Sequence, residues 1–178
     1  MRRQNSGRSR RALWVVAFLI MTMMGPSSWA LNSETNRATL RGLGGVRVLI
    51  EDLPPEMQQE GLTKTRLQAD VELKLRTAGI KTLTQEECFK TPGEPYLYLN
   101  INLNTLKTEI DHYAYSIDIG LIQNVMLLRD PAQTTYAITW STGGVGLIGK
   151  NRLSDLQDSV GDLLSIFVKA FLSVNPKQ

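Results

Sequence analysis

The residues best equipped for chemistry in this chain are a glycine-rich run ending in lysine, one histidine and one cysteine. Gly144-Val145-Gly146-Leu147-Ile148-Gly149-Lys150 fits the G-x-x-x-x-G-K frame of a loop that cradles phosphate with backbone amides and a lysine. The frame then breaks. Asn151 stands where such loops carry a Ser or Thr hydroxyl for Mg²⁺, and the next helix signal, a capping pair of Ser154 with Gln157, comes too late for the run to lead directly into a helix N-terminus. The run reads as a flexible strand-to-helix connection, and no cofactor is expected.

His112 is the sole histidine, which excludes metal sites built on histidine pairs and leaves any acid–base or triad chemistry to one ring. Asp111 adjoins it and Asp118 follows six positions later, yet a lone histidine opening a strand reads as a surface residue. Cys88 has no sequence partner that would activate a nucleophile, so it reads, with Phe89, as a packed residue; no second cysteine exists for an intramolecular disulfide. The carboxylates of Glu51-Asp52 and Glu86-Glu87 are adjacent rather than spaced for a shared site. No catalytic, cofactor-binding or metal-ligating residue is assigned, and the chain is not expected to be an enzyme.

The elements that would position these residues show in the periodicity. Val46–Ile50, between Gly44-Gly45 and Pro54-Pro55, predicts a strand. A helix follows from Thr63, with Leu62 and Leu67 placed for a hydrophobic staple, Leu67, Val71, Leu75 and Ala78 on one face, and Gly79 as its stop. Ile80–Leu83 predicts a short strand, and Thr84 with Glu87 has capping-box spacing for one helical turn over Gln85–Phe89. From Pro95 the period becomes two: Leu97, Leu99, Ile101 and Leu103 alternate with polar residues, as do Tyr113, Tyr115, Ile117, Ile119 and Leu121. Pairing the two rows with even parity, for example Ile101 opposite Tyr115, keeps both on one face. Tyr136, Ile138 and Trp140 predict a third such row after the Asp130-Pro131 turn. A final helix beginning at Ser154 buries Leu156, Val160, Leu163, Leu164, Phe167, Phe171 and Val174, and stops at Asn175-Pro176. This order predicts an α+β two-layer sandwich: a mixed, mostly antiparallel sheet of about five strands with two long helices on one face.

The first thirty residues read as an address. Five arginines, an apolar stretch over Ala12–Met24, Gly25-Pro26 and small residues at Ser28 and Ala30 have the order of a secretory signal peptide, with cleavage expected after Ala30. This stretch of thirteen residues, apolar but for Thr22, falls short of the ~20 that span a bilayer, so the membrane is expected to be met only through export. Ser9-Arg10-Arg11 also fits the start of a twin-arginine motif, which competes with the general export route. Five of the 20 basic residues and none of the 17 acidic ones lie in this leader, leaving 15 against 17 and a formal charge of −2. A near-neutral chain gives no electrostatic reason to bind nucleic acid. The expected organisation is a leader over 1–30, a flexible lead-in over 31–44 and one domain over 45–175, periplasmic or secreted.

The alternating strands leave one polar face. Tyr98, Asn100, Asn102, Asn104, His112, Ser116 and Asp118 would form a surface of hydrogen-bonding groups and aromatic edges of the kind that recognises peptides or sugars, and an exposed edge strand offers a second contact, with another chain. At Ala114-Tyr115-Ser116-Ile117 and Ala137-Ile138-Thr139-Trp140-Ser141-Thr142-Gly143-Gly144, with a helix ending in Ala78-Gly79-Ile80 and a last helix ending at Asn175-Pro176, the chain resembles a group of secreted bacterial proteins of unknown function. In outline it is similar to periplasmic α/β modules of the Tol and curli-secretion type. The resemblance supplies no activity; the leader, the absent catalytic set and the polar strand face beside an available edge predict an exported non-enzymatic interaction or assembly module. The alternative is a small-ligand-binding protein or weak hydrolase with a cleft near the glycine-rich run and His112.

Overall fold

A computed structural model describes residues 31–105 and 112–176; the leader, its cleavage site after Ala30 and Asp111 lie outside the described residues. Strand β1 (Arg47–Ile50) is followed by a short helix and then by a long one, β2 (Tyr96–Thr105), β3 (His112–Leu127) and β4 (Asp130–Gly149) run in succession, and a second long helix closes the chain. The sheet has the order β1-β2-β3-β4, with β1 parallel to β2 and the other two pairs antiparallel. The chain is thus α+β, built on one mixed sheet.

That sheet has four strands rather than about five. Ile80–Leu83 makes only an isolated parallel bridge, Val46 with Thr82, because the Gly79 stop before it and the capping box after it leave no length for a ladder. In the lead-in, Ser33 caps a five-residue helix, α1 (Glu34–Ala38), and Leu40 beyond it is fully buried, so this segment belongs to the core.

After α2 (Pro55–Gln59), helix α3 (Lys64–Thr77) starts as its sequence dictates: the Thr63 hydroxyl accepts from the Arg66 amide, and Leu62 and Leu67 are both buried. It ends at Gly79, whose φ of +84° is the left-handed conformation that only glycine adopts cheaply, and Ile80 N–H closes back on the Leu75 carbonyl. The capping box of α4 (Gln85–Lys90) forms in full, with Thr84 and Glu87 bonded reciprocally.

The last helix differs at its start. Lys150–Asp155 forms a 3₁₀ turn, and α5 (Leu156–Val174) begins after it with Asp155 as N-cap and no side-chain cap bond, so Ser154 and Gln157 do not form the expected box. Gln157 donates instead to Asp70 on α3 at 2.6 Å. Of the expected core face, Leu156, Val160, Leu164, Phe167 and Phe171 are buried in one cluster with Leu67, Val71 and Leu75 of α3 and with the inner row of the sheet, while Leu163 and Val174 pack against it only partly buried. Both long helices therefore cover the same side. Among the described residues no helix is long and apolar enough to cross a membrane.

The β2–β3 register has the expected even parity, shifted by two residues: Ile101 faces Ile117, and Tyr115 faces Leu103. β4 departs from the simple alternation. Leu121 pairs with Trp140 but Ile122 pairs with Ile138, so Thr139 is an extra residue in a β-bulge. The bulge turns Ile138 and Tyr136 out to the open face, where both are exposed, while Trp140 stays fully buried.

Candidate functional site

The glycine-rich run is not a loop. Residues 144–149 complete β4, paired residue by residue with His112–Ile117 of β3. An extended strand in a ladder cannot fold its amides around a phosphate, and the glycines have packing causes. A Cβ on Gly146 would come within 2.7 Å of the Tyr115 side chain, and one on Gly143 within 2.9 Å of an Asp118 carboxylate oxygen. Close approach of neighbours across the ladder accounts for Gly143 and Gly146.

The same register lays out the polar face. Across the open side of the sheet, Tyr98 stands opposite Gly120 and Ser141, Asn100 opposite Asp118 and Gly143, Asn102 opposite Ser116 and Val145, and Asn104 opposite Ala114 and Leu147. By register all seven expected surface residues fall on this side, with His112 set off at its far end, and Asn102 donates to the Ser116 hydroxyl at 3.4 Å. Burial, followed by the neighbouring Glu51 carboxylate, pushes the Tyr98 phenol up to about 12, so it remains a neutral donor and acceptor.

His112 stands apart. It lies beyond the last β2–β3 pair, Thr105 with Tyr113, and faces Gly149 at the end of the sheet. Six residues of extended strand separate it from Asp118, roughly 20 Å, so the two do not meet. It lines a groove of about 690 Å³ with Tyr115, Leu147, Lys150, Arg152 and Asp155.

Cys88 is buried, donates weakly to the Pro95 carbonyl at 3.5 Å, and has its thiol pushed up by burial, the character of an inert packed cysteine; its neighbour Phe89 is instead exposed. Among the described residues no cluster of three or more His, Cys, Asp or Glu side chains is placed to hold a metal ion.

The polar face has an apolar border that the sequence reading missed. Val145 is 83 % exposed and Leu147 67 % exposed, on the outermost strand beside the asparagine rows. Carrying the period of two from Trp140 through the glycine run would have found them. The outer backbone edge is also open there. Ser141 N–H points away from β3, to the Leu31 carbonyl, and the unshifted register from Ser141 to Gly149 aims the amides and carbonyls of Gly143, Val145 and Leu147 the same way. Among the described residues nothing bonds to them.

Comparison with known proteins adds no identity: no protein-family model matches the chain, and no curated protein matches it.

Proposed function

We propose that this chain is an exported, non-enzymatic contact module of the bacterial envelope, which binds a partner protein at the open sheet face and the adjoining free edge of β4. The observation that carries the reading is the conjunction at Gly143–Leu147 of main-chain groups that no described residue bonds with exposed Val145 and Leu147. An edge of this kind, neither covered nor charged, is normally blunted unless it is used. A partner segment added as a further strand would take main-chain hydrogen bonds from the edge and side-chain contacts from the apolar border and the Asn100, Asn102 and Asn104 rows.

Export rests on the leader, with the mature chain beginning at Leu31 and folding as a single unit that takes in the lead-in through the buried Leu40. No cofactor and no nucleic acid enter the proposal.

Val145→Pro tests it. The substitution removes an outward N–H that β3 does not use, so the ladder survives while strand addition is blocked. Complexes recovered by crosslinking intact cells should be lost in this variant and in Val145→Lys, with the melting temperature kept. Unchanged complexes in both variants would overturn the edge as the contact.

A further inference from the structure

Building on the β4 edge as the partner contact, on which this inference rests, we propose that the added segment carries a basic side chain, lysine or arginine, beside Gly143, and apolar side chains beside Val145 and Leu147.

The edge itself sets the length of that segment. Ser141 is already taken by Leu31, through the Ser141 N–H to the Leu31 carbonyl and the Leu31 N–H to the Ser141 hydroxyl. Beyond it the outward main-chain groups are those of Gly143, Val145 and Leu147, and the strand ends at Gly149. An added strand therefore has about five residues to pair, alternate ones sharing a face.

Each position along the edge differs in chemistry. On the open side Val145 and Leu147 stand exposed and favour apolar neighbours, since directly opposed side chains on one face lie ~5 Å apart. Gly143 has no side chain, and the space above it is filled from β3: an Asp118 carboxylate oxygen lies 2.9 Å from where a Cβ would be. That carboxylate has crossed to the outermost strand, one strand spacing of ~4.8 Å from a side chain added beside Gly143. Among the described residues no ion pair engages it, and the residue opposite on β2 is the neutral Asn100. A lysine or arginine beside Gly143 meets this charge across a bare glycine, whereas an acid there meets a like charge. On the helix side Leu163 of α5 lies 3.8 Å from the Cβ position of Gly144, so the segment's residue beside Gly144 rests on an apolar side chain.

The test titrates the full chain as purified from cells, isotope-labelled, with the capped peptide Thr-Lys-Val-Val-Thr-Val-Thr and its counterpart with Glu in place of Lys. Each is also used in reversed order, because a strand can add parallel or antiparallel. Saturable shifts are expected at the Val145 amide, with the lysine peptide binding at least ~tenfold tighter than the glutamate peptide. Asp118→Lys should reverse that order. Should the reversal variant unfold, Asp118→Asn keeps the side-chain shape and should reduce the preference to below ~threefold. Val145→Pro should abolish binding of both peptides. Equal binding of the two peptides that is lost in Val145→Pro, or a preference unchanged in the Asp118 variants, would overturn the basic residue while leaving the edge in place. Saturable binding of neither peptide in either order would overturn the segment, and the complexes crosslinked in intact cells, with and without Val145→Pro, report separately on the edge.

Discussion

Leu31 and Ser141 hold one another across the outer edge of β4: the Ser141 amide donates to the Leu31 carbonyl at 3.2 Å, and the Leu31 amide donates to the Ser141 hydroxyl at 3.2 Å. The start of the expected mature chain is thereby fixed to the same edge that lies open from Gly143 onward. Next to this pair, Trp140 Nε1 donates to Asn32 Oδ1 at 3.0 Å, and Asn36 Nδ2 reaches the Thr139 carbonyl.

Asn32→Ala should therefore destabilise the fold, because it leaves the indole N–H of a fully buried tryptophan unpaired. The expected loss is ~1–3 kcal/mol, read by denaturant unfolding. A change below a few tenths would mean that the N-terminal segment is not held to the sheet.

Phe167 meets Trp140 edge-on at a centroid distance of 5.1 Å and continues to Phe171 at 6.1 Å, joining the second long helix to the sheet. Phe167→Ala removes the central ring from a fully buried position, at an expected cost of ~3–5 kcal/mol. Thermal melting checks this, and an unchanged midpoint would remove α5 from the core.

The capping box of α4 predicts a pH effect. The Lys81 ammonium, and after it the Thr84 amide, hold the Glu87 carboxyl below its ordinary value. A depressed folded value contributes stability that is complete above the ordinary carboxylate range and is lost as pH falls toward the folded value. Lys81→Gln and Glu87→Gln should both flatten the loss of stability on acidification below about pH 5, read as the melting midpoint against pH. Wild-type slopes in both variants would contradict the assignment.

What the sequence made legible follows from how many constraints each segment obeys. Strands β2 and β3 were readable because Leu97, Leu99, Ile101, Ile117, Ile119 and Leu121 all face one core and one helix layer, so burial imposes a strict alternation. Thr63, Thr84 and Gly79 were readable because their bonding partners lie within five residues. The bulge at Thr139 was not, since it exists only in the pairing with Leu121 and Ile122, and it reversed Ile138 and Tyr136. The glycine run reads as a loop because an edge strand with bare glycines displays little of its inner row, and Gly146 and the preceding Gly143 answer to Tyr115 and Asp118, more than twenty residues away in sequence. Ser154 looked like a cap because its spacing to Gln157 was right, but the 3₁₀ turn carries the helix start past it. The groove at His112 joins side chains from the strand end and the 3₁₀ turn, a meeting that only the fold brings about.

The central claim is that the open edge and border of β4 are where this chain meets a partner. A photo-crosslinking residue placed at Val145 in intact cells, compared with the same residue at Leu73 on the exposed side of α3, tests it most directly. A discrete adduct of defined mass should form from position 145, fail to form from position 73, and vanish when Leu147 is also changed to Pro. Monomer alone at position 145, or the same adducts from both positions, would contradict it.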